Sequence, residues 1–132
     1  MVKGLAALAA VAPMLLASPA HAAPSALPKR VGQCVITTIK DVTTRLEDGQ
    51  THQPLAGSGS AVDFANGGYQ VSYDQVPEVD ESRAGDKVKM CLVSIPEDCP
   101  PGDTRGRVYR TTNLRTHKSW TLPDAEHMCG GA

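Results

Sequence analysis

The chain has 132 residues, with 13 Lys and Arg against 14 Asp and Glu, and a formal net charge of −1 excludes a polycation built to hold nucleic acid by charge alone. Large apolar side chains are scarce, Phe64 and Trp120 being the single Phe and Trp, so a domain of this size needs covalent staples to supplement its core.

The N-terminus carries an export pattern. Lys3 precedes an apolar run from Leu5 to Ala17, and Pro19 introduces Ala20-His21-Ala22, a small-x-small cleavage site; cleavage is expected after Ala22, so that residues 1–22 are a secretory signal peptide. The run is too short and too interrupted by Pro13 to stay in a bilayer, and no later stretch reaches the roughly 20 apolar residues of a transmembrane segment. No cysteine sits at the end of the signal and no twin arginine precedes the run, which points to Sec-type export and a periplasmic or secreted product without lipid attachment there. Removing the first 22 of 132 residues leaves 110, enough for one domain, and the loss of Lys3 leaves 12 Lys and Arg against 14 acids, a net charge of −2.

In chain order, residues 23–30 read as a flexible leader and 31–132 as a single β domain. Val35, Ile39, Val42 and Leu46 recur at helical spacing, but VITTIKDVTT is rich in β-branched residues, so Val31 to Leu46 is read as a long, bulged or bent strand in preference to a helix. Glu47 to Gly59 is a loop closed by Gly57-Ser58-Gly59-Ser60. A hairpin follows, with Val62 and Phe64 alternating with Ala61 and Asp63, Asn66-Gly67-Gly68 at the turn, and Tyr69, Val71 and Tyr73 resuming the alternation on return.

Asp74 to Gly85 is an acidic connection broken by Pro77. Asp86 to Cys99 is the strand around which the rest is placed. Val88, Met90 and Leu92 alternate with Lys87 and Lys89, and Val93 and Ile95 suggest that its far end runs into the core. After the turn Pro100-Pro101-Gly102-Asp103, Gly106 to Asn113 and Ser119 to Leu122 form two more strands around a polar turn, and the tail from Asp124 is held by Cys129. The pattern is all-β: a small, disulfide-stapled antiparallel Greek-key barrel of five or six strands, the OB type among its forms, with no amphipathic helix.

Cys34, Cys91, Cys99 and Cys129 are an even set in an exported chain and should form two disulfides. The favoured pairing joins Cys91 to Cys99, across Pro96-Glu97-Asp98, and Cys34 to Cys129; the competing one joins Cys34 to Cys91 and Cys99 to Cys129.

Catalytic signatures do not assemble. Ser58 and Ser60 miss the Gly-x-Ser-x-Gly elbow, and Glu78, Asp80 and Glu81 bunch in one linker where a glycosidase pair must face across a cleft. His117, His127, Met128 and Cys129 are metal-ligand types, but no second His follows Cys129 as a blue-copper loop requires, so neither metal nor cofactor is expected.

The charge layout carries more. From Thr104 to Pro123 the chain holds five bases and no acid, whereas Asp74 to Asp103 holds eight acids and three bases. Arg105, Arg107, Arg110, Arg115 and Lys118, with Tyr109 and Trp120 as stacking groups, are the candidate ligand-binding residues. Lys87 and Lys89, outside this hairpin, are expected to matter little. The functional expectation is an exported, non-catalytic domain acting by binding or envelope structure on an anionic polymer or a protein partner. The alternatives are a small envelope hydrolase and an inhibitor of lysozyme or a protease. For the charge layout itself, the favoured reading is that the acidic stretch and the basic hairpin satisfy one another within the domain or stay solvated, ahead of a binding face.

Overall fold

The computed structural model describes residues 2–4, 6–18 and 25–131. The expected cleavage site, Ala20 to Ala22, lies outside the described residues. The described part of the apolar run has no regular secondary structure and is exposed throughout.

Six strands, β1 (Cys34–Thr44), β2 (Ser60–Phe64), β3 (Tyr69–Val71), β4 (Lys87–Ser94), β5 (Val108–Asn113) and β6 (Ser119–Pro123), form one antiparallel sheet in the order β3-β2-β1-β4-β5-β6. The fourth strand returns beside the first, which is the Greek-key crossover. The sheet curls into a half-barrel. Register shifts between Ile39 and Asp41 in β1, and between Leu92 and Ser94 in β4, are bulges of the kind that bend strands and add twist.

β4 is central, and its alternation places Val88, Met90 and Leu92 inside with Ile39, Val62, Phe64 and Val79. Each such side chain, fully buried, contributes about 1.5–3 kcal/mol relative to exposure. The end of the strand departs from expectation, because Val93 and Ile95 are exposed. Both continue the outward side that begins with Lys87 and Lys89, and among the described residues no second layer covers that side of the sheet.

A short helix, α1 (Pro77–Asp80), stands in the acidic connection where no helix was expected. Pro77 suits its first turn, having no N–H to leave unsatisfied. Val79 closes one end of the core. At the other margin, Leu27 packs against the core and Pro28 is fully buried.

Gly59, at the end of the loop expected from sequence, is tightly constrained. Its φ is +113°, and a Cβ there would stand 2.0 Å from the Ser72 carbonyl oxygen, so only glycine lets the start of β2 approach the chain beyond β3.

The disulfides are Cys34–Cys91 and Cys99–Cys129, which overturns the favoured pairing. Cys34 and Cys91 are direct cross-strand partners in the β1–β4 ladder, with Cα atoms 4.0 Å apart. β4 continues past Cys91 instead of doubling back, and Cys99 meets the tail at a Cα separation of 5.3 Å. Each bridge contributes about 2–4 kcal/mol by restricting the unfolded chain, in the loop-entropy account. Two such bridges are consistent with an extracellular or otherwise oxidising compartment. Among the described residues, no helix is long and apolar enough to cross a membrane.

The first and last strands of the sheet approach each other and are joined by one side chain. Gln70 on β3 is opposite Val62 and points inward, fully buried, a polar residue the alternation of Tyr69, Val71 and Tyr73 did not mark; Val71 is buried too, Tyr69 is half-buried and Tyr73 is exposed. The four-residue turn sets this register through Phe64 N–H, which donates to Gly68 O at 2.9 Å. The Gln70 amide nitrogen donates to Tyr109 O at 2.8 Å and Leu122 O at 3.0 Å, while its oxygen accepts from Thr111 Oγ1 at 2.7 Å and Trp120 Nε1 at 2.9 Å. Only this orientation of the amide matches two carbonyls and two donors.

Replacing Gln70 with Leu keeps the volume but strands those buried groups, and should cost about 3–5 kcal/mol in urea unfolding with an unchanged slope. A loss below about 1 kcal/mol would show that the two edges do not depend on this side chain.

Candidate functional site

The residues proposed from sequence as a basic hairpin separate in space. Tyr109 and Trp120 are 2% and 4% exposed and belong to the core, so they cannot serve as surface stacking groups. The reason is register: Tyr109, Thr111 and Asn113 occupy the inward positions of β5, and Trp120 lies opposite Thr111 on β6. Burial raises the Tyr109 phenol above its ordinary range, with Asp124 adding to the rise and the Arg107 guanidinium opposing it.

Three of the five bases are neutralised by acids of the same domain. Arg105 makes a forked contact with Asp103, at 3.0 Å from Nε and 2.9 Å from one terminal nitrogen, in the loop before β5. Gly130 N–H donates to the same carboxylate at 3.0 Å, fixing the tail next to the Cys99–Cys129 bridge. These donors hold Asp103 well below the usual carboxylate range, the Arg105 contact being the largest cause. Lys118 pairs with Glu81.

Arg115 is committed most deeply. Its guanidinium donates to Asp86 Oδ1 at 2.7 Å and Oδ2 at 2.8 Å, and Asp86 also accepts from Asn113 Nδ2 at 2.8 Å and Arg83 N–H at 3.1 Å. Asn113, fully buried, completes the cluster by donating to Ser82 Oγ at 2.9 Å and accepting from the Arg115 and Thr116 N–H groups. The acidic connection is thus fastened to the β5–β6 turn, and the expected internal balance of charge holds for Arg105, Arg115 and Lys118.

Arg107 and Arg110 remain. Arg107 is half-buried just before β5 and its carbonyl oxygen accepts from Asp124 N–H at 2.9 Å; Asp124, with Leu27, Gly67, Gly68, Tyr69 and Tyr109, lines a cleft of about 110 Å³. Arg110 is exposed on the outer face of β5, and the ladder sets it opposite Cys91. Lys89 and Lys87 occupy the next two outward positions on β4, opposite Thr112 and beside Thr38 respectively. Lys87 and Lys89, set aside in the sequence reading, therefore share a face with Arg110. Among the described residues, none of these three cations makes an ion pair.

No acid occurs anywhere in 34–40, 87–94, 108–113 or 119–123, the stretches that form this part of the sheet. The acids of the outer face lie at its other end, where Asp41 and Asp63 are opposed across β1 and β2. The outer face thus carries a cationic half, centred on the Cys34–Cys91 bridge, and at its other end the carboxylate pair Asp41 and Asp63. Hydroxyls line the cationic half, with Thr112 Oγ1 and Ser119 Oγ 2.7 Å apart.

The other sequence candidates have structural positions. Ser60 Oγ donates to Asp80 Oδ1 at 2.6 Å and accepts from Val76 N–H at 2.9 Å, bracing α1. Ser58 Oγ accepts from Leu46 N–H at 3.1 Å. His117 sits in the β5–β6 turn at a φ of 60°, and the Cys129 sulfur is engaged in its disulfide. No protein-family model, no curated protein and no solved structure matches the chain.

The Asp86 carboxyl lies well below its ordinary value, chiefly because Arg115 donates to its charged form, with Asn113 and Arg83 adding to the effect against the opposing cost of burial. A depressed folded-state pKa contributes stability that is present above the unfolded value of about 3.9 and is lost as pH falls below it. Acid unfolding should therefore steepen below about pH 4. Asp86→Asn should cost about 1–3 kcal/mol at neutral pH and flatten the acid limb. Thermal melts of the two proteins across acid pH would check this, and parallel acid limbs would contradict it.

Proposed function

We propose that this chain is exported and acts by binding, holding an anionic partner on the outer face of β4 and β5, with no catalytic step. The observation that carries the reading is the selective pairing of charge. Arg105, Arg115 and Lys118 are matched to Asp103, Asp86 and Glu81, while Lys87, Lys89 and Arg110 stand together on one face without acids among the described residues.

Like charges crowded on a rigid sheet repel one another, and an anion laid across them relieves that repulsion while gaining forked hydrogen bonds from Arg110. The export pattern of residues 1–22 and the two disulfides support action in the periplasm or outside the cell. Both serines considered for catalysis have their hydroxyls engaged in bracing loops.

Retention on immobilised heparin tests the reading. The protein should be held at low salt despite its net charge and released as salt rises, because exposed charges are screened over about 8–10 Å at ordinary ionic strength. Lys87→Glu with Lys89→Glu, or Arg110→Glu, should abolish retention, while Lys118→Gln should change it little. Passage of the wild type straight through at low salt would refute the proposal.

A further inference from the structure

The cationic face also carries aliphatic side chains that a soluble polyanion has no means of using. Ile36 is 45% exposed directly opposite Lys89, and Val93 is 44% exposed two residues beyond Cys91. Val31, 61% exposed, is brought beside this end of β4 by the hydrogen bond from Gly32 N–H to Leu92 O at 2.9 Å. The Cys34–Cys91 bridge lies between these residues and Arg110 and locks β1 to β4 at the centre of the face. Branched aliphatic groups and unpaired cations therefore alternate over one rigid surface.

We infer that this face docks onto an anionic lipid surface, which rests on the reading of the face as a site for an anionic partner. A lipid leaflet offers both chemistries at adjacent depths, with phosphates for Lys87, Lys89 and Arg110, and the apolar boundary beneath them for Val31, Ile36 and Val93. The lysine stems can lie along the apolar boundary while the ammonium groups stay at the phosphate level. Because Trp120 and Tyr109 point inward, the face lacks an aromatic anchor. Binding accordingly depends on lipid charge, is reversible, and is sensitive to salt. The acidic end at Asp41 and Asp63 is repelled by the same surface, which orients the domain with β4 and β5 against the lipid.

The test is co-sedimentation of the protein purified after export, its N-terminus sequenced, with vesicles of equal parts phosphatidylglycerol and phosphatidylcholine and with vesicles of phosphatidylcholine alone. The expected result is binding to the anionic vesicles only, lost at high salt. Lys87→Gln with Lys89→Gln should weaken it about 25-fold, roughly fivefold for each cation. Ile36→Thr with Val93→Thr keeps β-branched residues in the strands and should weaken vesicle binding about five- to tenfold while leaving heparin retention unchanged. If that aliphatic pair left vesicle binding at the wild-type level, or if heparin were retained and anionic vesicles were not, the lipid inference would fall and the polyanion reading would stand. Failure of both heparin and vesicles would remove both.

Discussion

The four hydrogen bonds of Gln70 are the constraint on which the rest of the half-barrel depends. An open curled sheet has two edges that must either meet or be covered, and here β3 and β6 meet through one amide that serves donors and acceptors on β5 and β6. With its partners in place, a buried glutamine specifies one closure of the barrel, because any slip of β3 would strand several polar groups at once. The closure also determines which surface is left outside. Once Tyr109, Thr111 and Trp120 are drawn inward by Gln70, Arg110 must face outward in the same row as Cys91.

A second polar cluster, around Asp86 and Asn113, has the same logic at the other end of the barrel. It fastens the long crossover between β3 and β4 to the β5–β6 turn, and in doing so it commits Arg115 and, through Glu81, Lys118. The domain therefore separates its cations into two kinds. Some are structural partners of nearby carboxylates, and others are left on a face whose strands contain no acid. A net charge near zero conceals this division, since the excess of one sign is a property of a face and not of the chain.

Much of the fold was legible because period-two patterns are strong in this chain. Val62 and Phe64, and the alternation of Val88, Met90 and Leu92 with lysines, mark half-buried strands, and the β-branched run after Cys34 was rightly read as a bulged strand against its helical spacing. What failed to show were features set by pairing between distant strands. Whether Gln70 or Tyr69 points inward depends on a turn register one residue wide, and Cys34 meets Cys91, 57 residues later, because their strands are neighbours in the sheet. The candidate site suffered in the same way. Grouping bases by position in the chain united Arg105, Arg115 and Lys118, which the fold neutralises, and separated Arg110 from Lys87 and Lys89, which the fold aligns. The absence of acids from all four segments was visible in the sequence, and it becomes informative only when the segments are known to be adjacent.

The central claim, that unpaired cations on the outer face of β4 and β5 form the binding surface, is tested most directly by lysine footprinting. An amine-reactive reagent is applied with and without saturating heparin, and modified positions are read by mass spectrometry. Lys87 and Lys89 should be protected by the polyanion, while Lys29, before the first strand, and Lys118, paired with Glu81, should react to the same extent in both samples. Protection centred on Lys118, or spread evenly over all exposed lysines, would contradict the account.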